Sequence, residues 1–163
     1  DQMNDTDIIN QCLILKGEEY EQTFNRNQNL KYVFAPFIKS MCEDMFRENN
    51  QLLAVYAPNV IRMEYGVFYY CNKIQYIDFP LLESISTHTF TRCDSLTTIN
   101  LPNLKTACDM SFYVCVSLKQ FIAPKLTEVQ SDCFYNCHKL ERFVNGWFQK
   151  AKSWQDKFQN HAG

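Results

Sequence analysis

The chain has 163 residues, 46% of them hydrophobic and 15% aromatic, enough apolar mass for one domain with a sizeable core. Its net charge of −2 argues against a nucleic-acid binder driven by phosphate contacts, which carries a basic face. No run of about 18 apolar residues predicts a membrane-spanning helix, and eight cysteines are too sparse for a disulfide scaffold of this length.

Residues 1–23 carry no clear repeat. Ile8, Ile9, Cys12, Leu13 and Leu15 form an apolar cluster, followed by the polar run Gly17 to Gln22. This predicts an N-terminal cap, a helix or an irregular strand, covering the first open edge of the repeat region. The chain begins at Asp1 with no visible signal peptide in residues 1–20, which fits a fragment, a processed chain or an ordered part alike.

From Phe24 a fixed period takes over. Phe24, Phe46, Phe68, Phe90, Phe112 and Phe134 lie 22 residues apart, as do Pro36, Pro58, Pro80, Pro102 and Pro124, and Leu30, Leu52, Ile74, Leu96, Leu118 and Leu140. A period of this size marks a repeat architecture. One column reads Val33, Val55, Ile77, Ile99, Phe121, Phe143; a second, two residues on, reads Ala35, Ala57, Phe79, Leu101, Ala123. Residues two apart share one face of a strand, and the proline that follows has no donor for further pairing. Each unit therefore opens with a short strand. The columns of Leu104 and Ala107 belong to a second extended or turning segment. Phe112 and Cys115, three apart, suit one helical or 3₁₀ turn that drops both side chains inward. Stacked units form a parallel sheet with strands about 4.8 Å apart, and each buries its apolar columns only against its neighbours.

Beyond Gly146, Trp147, Ala151, Trp154 and Phe158 fall at i, i+4, i+7 and i+11, one stripe of an amphipathic helix. The predicted organisation is an N-terminal cap over 1–23, a solenoid of five to six units over 24–144 and a C-terminal capping helix over 145–163. The fold class is an α/β repeat with a short parallel sheet. Docking of the last helix on a partner protein is the alternative to capping.

The consensus Phe-x-x-Cys-x-x-Leu-x-x-Ile-x-Leu-Pro-x-Leu is clearest in Phe90 to Leu104 and in Phe112 to Leu126. It resembles the BspA-like leucine-rich repeat family over Phe24 to Val144. The resemblance implies a right-handed solenoid with a protein-binding or adhesive role and no catalysis. Such repeats are known on bacterial and protist surfaces and inside protist cells. Family members usually carry a Gly and a small residue shortly before the Phe, where this chain has Glu64, Ser86, Cys108 and Gln130. With four glycines in all, the outer turn is expected to be tighter or more helical than in the family.

Cys71, Cys93, Cys115 and Cys137 form a column whose earlier slots hold Asn27 and Asn49. Zinc prefers ligands paired at close spacing, whereas a free cysteine is a small buried hydrophobe with a weak donor. The reading is an internal packing ladder, with no metal and no cofactor. Cys12, Cys42, Cys108 and Cys133 share no pattern. Cys133, Cys137 and His138 are close in sequence, but a Cys–His pair needs an orienting third group. No phosphate loop, nucleophile elbow or zinc-protease motif is present, so no enzyme is expected.

Residues flanking the inward strand positions face out. In the first three units these include Tyr32, Phe34, Tyr56, Tyr76 and Asp78. Aromatics are enriched at binding hot spots; the competing readings are cross-strand stacking for sheet stability or cover from the N-terminal segment. A second group, Tyr65, Tyr69, Tyr70, Tyr113 and Tyr135, lies near the Phe turn. The expected function is a non-catalytic protein–protein interaction module that binds through the sheet face. A structural component of a larger assembly and a surface adhesin fragment are the alternatives. The expected partner is a protein, with no nucleic acid and no membrane insertion. Unpaired cysteines and no visible signal lean towards the cell interior, with the cell surface as the alternative.

Overall fold

The computed structural model describes residues 6–130 and 132–145. Thirteen strands occur among them: β1 Thr6–Ile9, β2 Cys12–Leu15, β3 Tyr32–Phe34, β4 Ser40–Met41, β5 Ala54–Tyr56, β6 Arg62–Met63, β7 Tyr76–Asp78, β8 Ser84–Ile85, β9 Thr98–Asn100, β10 Thr106–Ala107, β11 Gln120–Ala123, β12 Glu128–Val129 and β13 Arg142–Asn145. From β3 on, each of six coils supplies one strand, which a proline follows in the first five, and those five supply a two-residue strand after it. The first set makes sheets ordered β1-β2-β3-β5-β7 and β13-β11-β9; the second makes an unbroken sheet β12-β10-β8-β6-β4. All pairings are parallel except β1 with β2. Register follows the sequence period: Val33 lies against Val55 and Val55 against Ile77.

The core is a column. Phe46, Phe68, Phe90, Phe112 and Phe134 are fully buried. From Phe24 upward, successive ring centroids lie 5.9, 5.5, 5.4, 5.3 and 5.2 Å apart, with the rings stacked. These separations fall in the range where offset aromatic pairs gain beyond their buried area. The first sheet breaks between β7 and β9, at the coil where Phe79 stands in the column that holds Ala35 and Ala57. Its ring packs on both Phe68 and Phe90, at 5.9 and 6.4 Å.

No helix occurs among the described residues, so the helical or 3₁₀ turn expected at Phe112 to Cys115 is corrected to a run of single hydrogen-bonded turns. The hydrogen bonds explain this. Tyr113 N donates to Met110 O and Cys115 N to Phe112 O within the coil, but Phe112 N and Val114 N donate to Cys133 O and Tyr135 O of the next coil. Alternate donors are thus taken by the neighbouring coil, and a continuous helix has none to spare. The scarcity of glycine does not make these turns more helical either. The chain takes left-handed φ at non-glycine residues instead, in two columns: Asp44, His88 and Met110, with Gly66 in the same slot, and Arg26, Glu48, Tyr70, Arg92, Val114 and Asn136. The predicted C-terminal helix, with Trp147, Ala151, Trp154 and Phe158, lies outside the described residues.

The segment expected to cover the first edge is a β-hairpin. Asn10 and Gln11, at φ 50° and 66°, form its two-residue loop, the left-handed pair that a tight hairpin requires. β2 then pairs parallel with β3, setting Leu13 against Val33. Leu13 and Leu15 are buried and so close the column of core side chains.

Two consequences are measurable by urea unfolding. Phe90→Ala opens a cavity between two stacked rings and costs about 3–5 kcal/mol. Val114 is β-branched at φ 59°, where an L side chain strains the backbone, so Val114→Asn, the residue type its column holds at Asn136, gains about 1 kcal/mol.

Candidate protein-interaction face

Strand alternation and parallel register place the candidate residues in two rows on the outer face of the first sheet. One row runs Ile9, Cys12, Tyr32, Ala54, Tyr76; the other runs Asp7, Ile14, Phe34, Tyr56, Asp78. Tyr32 and Phe34 are both 44% exposed, Tyr56 39% and Tyr76 58%, while Asp78 is half-buried at the rim. The expected five residues therefore share one face. Phe34 and Tyr56 stack at 5.3 Å, so cross-strand stacking and exposure coexist. Past β7 the rows turn polar, with Thr98 and Asn100 exposed, and the sheet itself breaks there. Sequence reasoning missed Ile9, Cys12 and Ile14, which extend the apolar rows onto the hairpin. The hairpin extends the face sideways and does not cover it.

The second tyrosine group lies along the turns and is engaged with its surroundings. The Arg47 guanidinium sits 4.8 Å from the Tyr69 ring and that of Arg92 5.5 Å from Tyr70. Arg47 also pairs with Asp44 and Glu48, and Glu48 with Arg26. Arg26 and Arg47 hold the Glu48 carboxyl below its usual range, chiefly through hydrogen bonds. Tyr113 and Tyr135 stack at 5.2 Å, and the His88 ring meets Tyr65 and Tyr69 edge-on at 5.6 and 5.4 Å. A shallow groove lined by Arg47, Glu48, Asn50, Tyr69 and Tyr70 opens here.

The cysteine column is buried and does more than pack. The Sγ atoms of Cys71, Cys93, Cys115 and Cys137 donate to the carbonyls of Phe46, Phe68, Phe90 and Phe112, one coil back, at 3.0, 3.3, 3.1 and 3.1 Å. Asn49 makes the same bond to Phe24 O through Nδ2 at 3.0 Å, which explains why asparagine and cysteine share the slot. Burial raises the Cys71 thiol to about 12 and pushes Cys93 and Cys115 well above the ordinary thiol value of 9.0. Cys133 faces Ser111 Oγ at 3.1 Å, Cys137 points into the core, and His138 lies on an exposed turn, so the three do not converge. None of the eight cysteines, all among the described residues, forms a disulfide.

A family model described as BspA type leucine rich repeat region matches residues 19–144 in six copies. No curated protein matches the chain. Among solved structures, a leucine rich repeat protein of T. pallidum is similar at TM-score 0.61 and 16% identity, covering 85% of this chain and 78% of its own. A leucine-rich repeat protein from Bacteroides ovatus gives 0.56 at 16% identity, over 75% of this chain and 36% of the other. A leucine rich cell surface protein from Faecalibacterium prausnitzii gives 0.62 at 19% identity, over 93% and 39%. The chain thus spans little more than a third of the last two, and all three likenesses concern the fold.

The raised thiols make stability depend on pH in a fixed direction. A thiol whose folded value lies above its unfolded value stabilises the fold fully below about 9 and loses that contribution as pH rises through the folded value. For Cys71 the window runs from 9.0 to about 12. Cys71→Ala is expected to lower stability by about 1–2 kcal/mol at neutral pH, and to flatten the fall in denaturation midpoint between pH 9.0 and 12.

Proposed function

This chain belongs to the BspA type leucine rich repeat family, and we propose that it is a non-catalytic protein–protein interaction module that binds through the sheet face of its early coils. The observation that carries this reading is the cluster of Tyr32, Phe34, Tyr56 and Tyr76, all exposed, on three adjacent strands. A contiguous exposed aromatic patch rimmed by a carboxylate such as Asp78 is the composition of a binding hot spot rather than of solvated sheet. Repeat solenoids present extended surfaces to partners, and residues 24–144 are proposed as the repeat region that presents this one. The likeness to a leucine rich cell surface protein agrees with an interaction role. The turn-side tyrosines favour the sheet face by contrast, because guanidinium or imidazole groups already meet the rings of Tyr65, Tyr69 and Tyr70.

Affinity capture with the native chain tests this. A partner retained by the native protein and by Tyr113→Ala is expected to be lost with Tyr56→Ala and Tyr76→Ala, each truncation weakening binding by about tenfold or more. All variants should keep the native circular dichroism spectrum. Equal retention by every variant would overturn the sheet face as the contact and favour assembly through edges and caps.

A further inference from the structure

We propose that strand β1 is the docking edge for a second copy of this chain, the two copies pairing antiparallel across it into one continuous sheet. β1 is the outermost strand of its sheet. The two-residue loop makes Ile9 with Cys12, and Asp7 with Ile14, the hydrogen-bonded pairs of the hairpin. By alternation, the N–H and C=O groups of Thr6 and Ile8 point away from β2, where no strand of the described residues lies. Such edges are normally blunted by lysine, proline, a bulge or a covering segment. The strand reads Thr-Asp-Ile-Ile, and its one charge, Asp7, is paired with Lys16 at 2.6 Å. Ile8 and Ile9, on opposite faces, are 59% and 53% exposed. Each face of this edge, open among the described residues, therefore carries an exposed isoleucine.

A second copy is the occupant that this edge fits because the edge is complementary to itself. An antiparallel pair centred on Ile8 sets its N–H and C=O against those of the same residue in the other copy and packs the two side chains together, an isologous contact that closes at two copies. Asp7 of one copy then stands opposite Ile9 of the other rather than opposite a second Asp7, so like charges are not directly opposed. The two-fold axis is perpendicular to the sheet, which leaves both outer faces on one side. The row from Tyr76 to Ile9 in one copy runs on into the row from Asp7 to Asp78 in the other. Dimerisation would double the aromatic face and make it continuous across the axis.

Sedimentation of the full chain from micromolar to submillimolar concentration tests the proposal. The expected result is a monomer–dimer equilibrium whose dissociation constant rises about tenfold or more in Ile8→Lys. Ile61→Lys, at an exposed isoleucine next to a strand of the second sheet, leaves it unchanged. Under mild oxidation Ile8→Cys is expected to form a covalent dimer, since paired residues here lie about 5.5 Å apart between Cα atoms. Gln11→Cys, in the hairpin loop, should cross-link no faster than the parent chain. A monomer throughout, a dimer indifferent to Ile8→Lys, or equal cross-linking by the two cysteine variants would overturn it. Because these readouts need no outside partner, they fail or hold independently of the sheet-face reading.

Discussion

Coil must sit on coil in strict register, and everything else in this molecule depends on that constraint. A single coil has short strands and isolated turns, neither of which is stable alone. What fixes it is the coil above and below. Phe46, Phe68, Phe90 and Phe112 each donate their backbone N–H to a carbonyl of the next coil, at Val67, Thr89, Ser111 and Cys133. Each buried cysteine of the Cys71 column sends its thiol the other way, to a Phe carbonyl one coil back. An insertion of one residue in any coil would break both sets together and turn the aromatic column out of line.

Register in turn limits side-chain size. Adjacent inward positions differ in combined size from coil to coil. Val33 pairs with Ala35 and Val55 with Ala57 in the early coils, Ile99 with Leu101 in the middle, and Phe121 with Ala123 later, where the Phe121 ring also packs edge-on against Phe112 at 5.0 Å. Ile77 with Phe79 is the largest pair of its region. There Ile77 is left half-buried and the first sheet divides. Interiors at crystal-like density respond to a methylene, and a whole ring against a methyl group is a larger step.

Much of this was legible in the residues and some was not. The columns could be read because a buried slot recurs every coil with one chemical character, and the inward–outward alternation of the strands followed from Ile99 and Leu101. β2 escaped because Leu13 pairs with Val33 across twenty residues rather than twenty-two, so it falls outside the period although it fills the same layer. With it went Ile9, Cys12 and Ile14 from the candidate face. The left-handed columns escaped because glycine, their usual marker, occupies only Gly66; Arg26, Tyr70 and Val114 carry no local signal for positive φ. That conformation is imposed by the neighbouring coil's carbonyls and not by intrinsic preference.

The distribution of aromatic rings separates structure from availability. Stacking along the solenoid brings like residues about one strand spacing apart, so any column of rings will interact with itself. On the turn side that interaction is completed by arginine and histidine at Tyr65, Tyr69 and Tyr70. On the sheet side, Ala54 stands between Tyr32 and Tyr76 in one row. The small residue separates the two exposed tyrosines. Stability alone would favour a third aromatic at that place. Tyr76, 58% exposed, is the most open of the tyrosines, which is why the sheet face, and not the more aromatic turn face, is the one proposed as the contact.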